Sequence, residues 1–375
     1  MSTSMSSTPP EPPPPGSGLS LRDELYWILP IGLTLVGGVA FLLFNQNWGA
    51  NVAAILALPV EVAGVIFAIL TAKGVSSLGG TRKARIPRNR RRITVYLSVL
   101  ILAVSGVVYY FVREPDPYDF LSGDVRIGYV EPGYPGWHEG NGLGRHGFNV
   151  SVAQALLDYF PKMTSIQWVP LEDNDDRIQA LTGDNPVQLV ISNFSMTEAR
   201  KELIDFAGPY FNDVEGFATH DRTAQSVHDI HRVCVPSGST AELRLRKLGY
   251  DVVVEPTLRA CFQRFFSGSE PDLAVSTDLA IIQAYVGSLP PDKRKEVPKF
   301  LSVGVEQYGI GLPNNSPKLC AKVNEALSRF LRLGWPNSFR TTLGQLGLKE
   351  IDGAHGIDHR PERTDPCEPA APWRK

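Results

Sequence analysis

In the stretch ISNFSMTEARKELIDFAGPYF, residues 191–211, two hydroxyls and a guanidinium follow an apolar run. Ser195, Thr197 and Arg200 stand between LVIS and IDFAGPYF. These side chains have two uses. Ser195 can accept from the first turn of a helix while Glu198 reaches back, forming a capping box with Arg200 on the solvated face. Alternatively, the hydroxyls, the unpaired N–H groups of the helix start and Arg200 together receive a carboxylate, because helix starts favour anions and a guanidinium grips a carboxylate with two parallel bonds. The stretch alone leaves both open. Two other clusters carry less. GLGRHG (142–147) spells G-x-G-x-x-G, but the preceding strand ends near Val130 and a turn-rich loop intervenes. A dinucleotide site needs strand, turn and helix in direct succession. HGIDH (355–359) sets two histidines four apart in a Gly/Pro-rich tail and reads as solvated rather than metal-binding. No nucleophile-elbow, zincin or P-loop pattern occurs, so no metal or cofactor is expected.

The elements around these residues alternate. Strand-like runs (DVRIGYV, SIQWVPL, VQLVIS, HRVCVP, DVVVEP, PDLAVST) interleave with helix-like ones (NVSVAQALLDYF, DDRIQALTG, TAELRLRKLG, TLRACFQRFF, TDLAIIQAYVG, SPKLCAKVNEALSRFLRLG). That alternation predicts an α/β domain with mainly parallel sheets. Two strand–helix groups, with QYGIGLP returning late toward the first, predict two lobes. Ligands of open α/β sheets sit beyond the carboxyl ends of strands, which makes the segment after VQLVIS a site-forming position.

The first third of the chain differs. Residues 1–24 hold a Pro/Ser-rich stretch without apolar periodicity and predict a disordered tail. Apolar segments at 25–44, 50–72 and 93–112 are each long enough to cross a hydrocarbon layer of roughly 30 Å. Glu61 alone interrupts them with a charge, read either as functional or as a protonated group bonded to a neighbouring helix. The first segment is too long for a signal-peptide core and lacks an obvious cleavage site, so the spans are expected to be retained. The loop 73–92 carries eight Lys/Arg and no acid. By the positive-inside rule it is cytoplasmic, as is the N-terminus, and everything after Val112 lies outside in a multi-pass plasma-membrane protein. A net charge of −2 gives no reason to expect nucleic acid.

From about Val125 to Leu348 the chain resembles the polar-amino-acid family of extracytoplasmic solute-binding proteins of ABC importers, closest to glutamate-binding members. The matching pieces, in the family's order, are RIGYVEPGYPGW, GFNVSVAQALL, DRIQALTG, FSMTEARKELIDFAGPYF, VCVPSGSTAEL, PDLAVSTDLAII and EQYGIGLP. The resemblance implies a periplasmic-binding-protein-like α/β domain whose two lobes, joined by two crossings, close around one ligand. The expected organisation is a stalk at 113–123, a first lobe at 124–217 plus 307–350, a second lobe at 218–306 and a flexible tail at 351–375.

Carried over residue by residue, the resemblance implies that Arg200 and Ser195 hold the ligand's α-carboxylate, with Thr197 supporting the helix start. Ser239 and Thr240 match the second lobe's carboxylate-facing loop, and Asp278 the acid that takes the α-ammonium. A zwitterion leaving water needs both charges paired, because a buried unpaired charge costs more than a charge-assisted bond returns. Asp278 also reads as a plain N-cap before LAIIQAY. Tyr134 matches a ring that packs on the ligand's aliphatic part, and Glu131 and Asn174 fall where selectivity is set. Arg145 and His146 lie near the cleft-lining loop. Asn149, Ser151, Gln188, Asn193 and Leu279 depart from the family pattern; the first three read as structural, while Asn193 and Leu279 border the pocket. Four cysteines outside a membrane suggest disulfides. Cys234 with Cys261 resembles a pairing of glutamate-binding relatives, and Cys320 with Cys367 would join the last helix to the tail.

The expected function is membrane-anchored capture of a polar amino acid (glutamate, glutamine or aspartate-like) for an ABC permease. An amino-acid sensor signalling through its membrane helices to a separate effector is the alternative. A channel is disfavoured because the spans all precede the lobes. An enzyme on the same fold, such as a dehydratase using Glu131 or Asp278, is also disfavoured.

Overall fold

The computed structural model describes residues 114–297 and 299–368. The tail, the three spans and the basic loop expected before residue 113 lie outside the described residues, and among the described residues no helix is long and apolar enough to cross a membrane.

In chain order the elements are α1 (Pro117–Phe120), β1 (Gly123–Val130), α2 (Phe148–Tyr159), β2 (Met163–Leu171), α3 (Asp176–Thr182), β3 (Leu189–Ser195), α4 (Glu198–Lys201), β4 (Asp205–Thr219) and β5 (Arg232–Pro236). They continue with α5 (Thr240–Lys247), β6 (Asp251–Glu255), α6 (Leu258–Phe266), β7 (Leu273–Asp278), α7 (Leu279–Ser288), α8 (Pro291–Arg294), β8 (Lys299–Leu312), α9 (Pro317–Leu333), α10 (Trp335–Thr341), β9 (Ile351–Asp352) and β10 (Ile357–Asp358). The strands order as β2-β1-β3-β8-β4-β7-β5-β6. β1, β2 and β3 pair in parallel, as do β5, β6 and β7, so each set forms the parallel sheet of one lobe.

Two long strands carry the chain between lobes. β4 and β8 pair antiparallel over most of their length, with register shifts between Ala207 and Phe211 and between Asp213 and Glu215. The last part of β8 pairs with β3, whereas Glu215–Ala218 of β4 pair with β7. Both strands run unbroken through the lobe borders expected at 217/218 and 306/307. β4 escaped the strand reading because Gly208, Pro209, Asp213 and Glu215 interrupt its apolar pattern.

The first lobe's core is aromatic: Trp137, Phe148, Phe211, Tyr308 and Trp335 are fully buried and stack or meet edge to face. α9 closes it with Leu319, Val323, Leu327 and Phe330, the helical spacing that makes one apolar face. Residues 351–368, expected as part of a flexible tail, are instead packed. The buried His359 ring stacks on Phe211 at 4.8 Å and its Nδ1 lies 2.8 Å from the Asn212 carbonyl. Asp365 N–H donates to Gly208 O at 2.6 Å. The tail is held because Cys367 is bonded to Cys320 on α9; Cys234 and Cys261 form the other disulfide, between β5 and α6.

Candidate functional site

The expected site residues sit at strand ends or in the segments that follow them. α4 is a single turn whose N-cap is Thr197, with its Oγ1 accepting from Arg200 N–H at 3.4 Å. Ser195 is therefore not the cap, and Glu198 pairs with Lys201 at 2.9 Å instead of completing a capping box. Arg200 folds back over the strand end: its Nη1 donates to Ser195 O at 3.1 Å and its guanidinium lies 5.0 Å from the Phe194 ring centre. Burial lowers its pKa, while Asp278, Glu306 and Asp175 oppose that.

On the far side Asp278 ends β7 and occupies the N-cap position of α7, yet its side chain makes no capping bond. Asp213 of β4 accepts from Ala280 N–H in its place, at 3.1 and 3.2 Å. This frees Asp278, which is buried and bonded by the Tyr308 hydroxyl at 2.6 Å. Burial and the nearby Glu306 charge push its pKa up to about 7. Asp278 and Arg200 feel each other's charge without forming an ion pair.

The remaining expected residues divide. Ser239 is the N-cap of α5, accepting from Glu242 N–H at 3.2 Å, and Thr240 begins that helix. Tyr134 faces Asn174, Arg177 and Asp278, and burial raises its pKa. Glu131 accepts from Tyr129 Oη at 3.3 Å. Asn193 is buried with φ at 47°, and its Oδ1 accepts from Asn149 Nδ2 at 2.8 Å. Its own Nδ2 has no partner among the described residues. Leu279 is fully buried beside Val214 and Ile357, in a small core rather than in the cleft. Arg145 and His146 lie away from the charged residues. Arg145 covers the Tyr129 and Trp168 rings and donates to His138, while His146 is exposed beside Glu139.

The sequence reading overlooked Arg177. On α3 it is only 4% exposed, and it donates to the carbonyls of Asn174, Ser192 and Asn193 at 2.9, 3.1 and 3.3 Å. Its guanidinium lies 4.6 Å from the Phe194 ring centre, so the same ring carries both arginines. Burial, and then the Arg200 charge, lower its pKa. Among the described residues neither guanidinium has an ion-pair partner. Arg177 is buried and Arg200 half-buried, and an uncompensated charge out of water is costly.

The lobes are drawn together. Asn174 Nδ2 of the first lobe donates to Ser237 O of the second at 2.9 Å. A Cβ on Gly238 would come within 2.9 Å of the Asp175 carboxyl. A cavity of about 110 Å³ remains between them, walled by Glu131, Tyr134 and Asn174 on one side and by Thr257, Arg259 and Tyr285 on the other. Arg200, Ser195 and Asp278 do not line it.

With this geometry in place, residues 125–363 match the model of the bacterial extracellular solute-binding proteins, family 3, and the chain belongs to that family. The family is one of solute-binding proteins, and the domain is accordingly a binding protein rather than an enzyme. The chain is 22% identical over 259 residues to the glutamate-binding protein GluB of Corynebacterium efficiens, covering 63% of this chain and 84% of that one. Its identity to GluB of Corynebacterium glutamicum is 23% over 227 residues, covering 56% of this chain and 74% of the relative. Among solved structures, an ancestral arginine-binding protein bound to glutamine is 28% identical with a TM-score of 0.51, covering 59% of this chain and 98% of that one.

Proposed function

We propose that the domain captures a dicarboxylic amino acid of the L-glutamate type outside the cell and delivers it to an ABC permease, with the chain held at the membrane by its three apolar segments. The observation that carries the ligand class is the pair of guanidinium groups at the end of β3, Arg177 and Arg200, which have no carboxylate partner among the described residues. One receives the α-carboxylate and the other the side-chain carboxylate, while Asp278 takes the ammonium. Two cations and one anion balance a ligand that brings two anions and one cation. Similarity to two glutamate-binding proteins supports the same class. The bond from Asn174 to Ser237 is then a latch on the loaded state, in which the lobes have closed over the ligand.

Calorimetry of the full-length protein tests this. L-Glutamate should bind more tightly than L-glutamine or L-arginine, and Arg200→Ala should lose all three. Preference for L-arginine would refute the ligand class. Delivery is tested separately by isolating the protein from membranes, where an ABC permease should accompany it; recovery with a histidine kinase instead would favour a sensor.

A further inference from the structure

Four carboxylates meet where β4, β7 and β8 cross between the lobes. Asp213, Glu215, Glu306 and Asp278 are 0, 1, 4 and 6% exposed. Arg244 of α5 serves two of them, donating from Nη1 to Glu215 at 2.7 Å and from Nη2 to Glu306. That leaves Asp213 and Asp278. The single hydroxyl of Tyr308 lies 3.0 Å from Asp213 Oδ2 and 2.6 Å from Asp278 Oδ2. A phenol has one hydrogen, so two ionised carboxylates would have to share it, whereas a proton on one carboxyl gives each acid a full bond to the phenol oxygen. One proton beyond the phenol's own would therefore satisfy all three groups.

We infer that Asp213 is a positioning residue for the ammonium receptor: through Tyr308 it shares a single proton with Asp278, and binding of an amino acid expels that proton. The inference rests on the site reading above, in which Asp278 faces the ligand's ammonium. The ionisable groups facing the pair come from several elements. From β4 Asp278 faces Asp213 and Glu215, from β8 Glu306 and Tyr308, from α3 Arg177, from α4 Arg200, and from the loop after β1 Tyr134. Asp213 faces Tyr308 and Asp278, and accepts from the N–H groups of Val214 and Ala280. Burial raises the pKa of both acids, and the Asp278 charge adds to it for Asp213 as the Glu306 charge does for Asp278. An arriving ammonium supplies the positive charge the proton had supplied. Asp278 then bonds the ammonium as a carboxylate, and the proton leaves for solvent.

Infrared spectroscopy of full-length protein with carbon-13-labelled aspartate, ligand-free near pH 7, decides the first half without any ligand. One buried protonated aspartate is expected, absent in Asp213→Asn and unchanged in the exposed control Asp158→Asn. A fully ionised set of aspartates in the parent overturns the inference, as does a band that survives in Asp213→Asn. Calorimetry with L-glutamate decides the second half. Parent affinity should rise about tenfold per pH unit below about pH 7, as Asp278 must lose its proton to bind, whereas Asp213→Asn should change by less than about twofold over the same unit. Equal slopes in the two proteins overturn it. Failure of L-glutamate to bind would count against the ligand class, and the infrared result would still decide the proton.

Discussion

Among the described residues Arg177 bonds to three backbone carbonyls and to no carboxylate, so on the proposed reading a ligand's carboxylate would complete its charge. Replacing it tests the side-chain end of the ligand separately from the α-carboxylate end. Arg177→Gln should lower affinity for L-glutamate about tenfold to a hundredfold, as a charge-assisted pair is worth about 1.5–3 kcal/mol, and lower L-glutamine much less. Competition calorimetry with the two amino acids checks it. A second residue-scale prediction concerns acid. Burial, then the neighbouring Arg145 charge, hold His138 down to about 3, with Arg145 donating to its Nε2 at 2.5 Å. The unfolded chain protonates this histidine near 6.5, so between about 6.5 and about 3 the unfolded state holds the extra proton. The stability it contributes is full above about 6.5 and falls by up to about 1.4 kcal/mol per pH unit below that. Denaturant melts of the parent and His138→Gln should therefore diverge in pH slope within that window. Arg200, Ser195 and Asp278 stood out in the sequence because they fall in the segments that resemble the family. Arg177 was not, since an arginine in the first turn of DRIQAL looks like any solvated helix residue. Asp213 did leave a signal: with Glu215 it breaks an otherwise apolar strand at alternate positions, which is how acids aimed at one buried face appear.

At the scale of elements, β4 and β8 are the mechanical parts, since the lobes change partners along them. Close approach holds that junction: a Cβ on Gly216 of β4 would come within 2.6 Å of Leu279 Cα, at the start of α7. Gly216→Ala must push the helix off the strand, and overpacking of this kind costs about 1–3 kcal/mol. Thermal unfolding should show the loss, and an unchanged melting temperature would mean that the junction is loose. The loop between β2 and α3 is the closing part. Asn174→Ala removes its bond to Ser237, worth about 0.5–1.5 kcal/mol, so ligand release in stopped flow should quicken roughly twofold to tenfold. Parallel strands and their helices were readable from alternation because each repeats one local pattern. The long crossing strands were harder, as Gly208, Pro209 and two buried acids interrupt the period, and their pairing joins residues about a hundred positions apart, such as Asp205 and Leu312.

For the whole molecule, both disulfides tie later chain to earlier elements. Cys320–Cys367 spans 47 residues and restrains the unfolded chain by about 4 kcal/mol on the loop-entropy estimate. Cys320→Ser with Cys367→Ser should unfold at lower denaturant and expose the 351–368 segment to protease, while the parent resists. Composition and a Gly/Pro-rich look had made that segment seem free, because neither registers one distant cysteine that fixes the run before it.

The same helix moors the other end of the domain. Glu114 Oε1 accepts from Leu319 N–H at 2.9 Å, one residue before Cys320, so the incoming and outgoing strands of chain are fastened side by side on α9, within the first lobe. Both ends of the described chain are therefore fixed to the first lobe, and a movement of the second lobe leaves the distance between them unchanged. Spin labels at Asp116 and Arg329 should keep their separation when L-glutamate is added, while a label at Leu243 should move toward both.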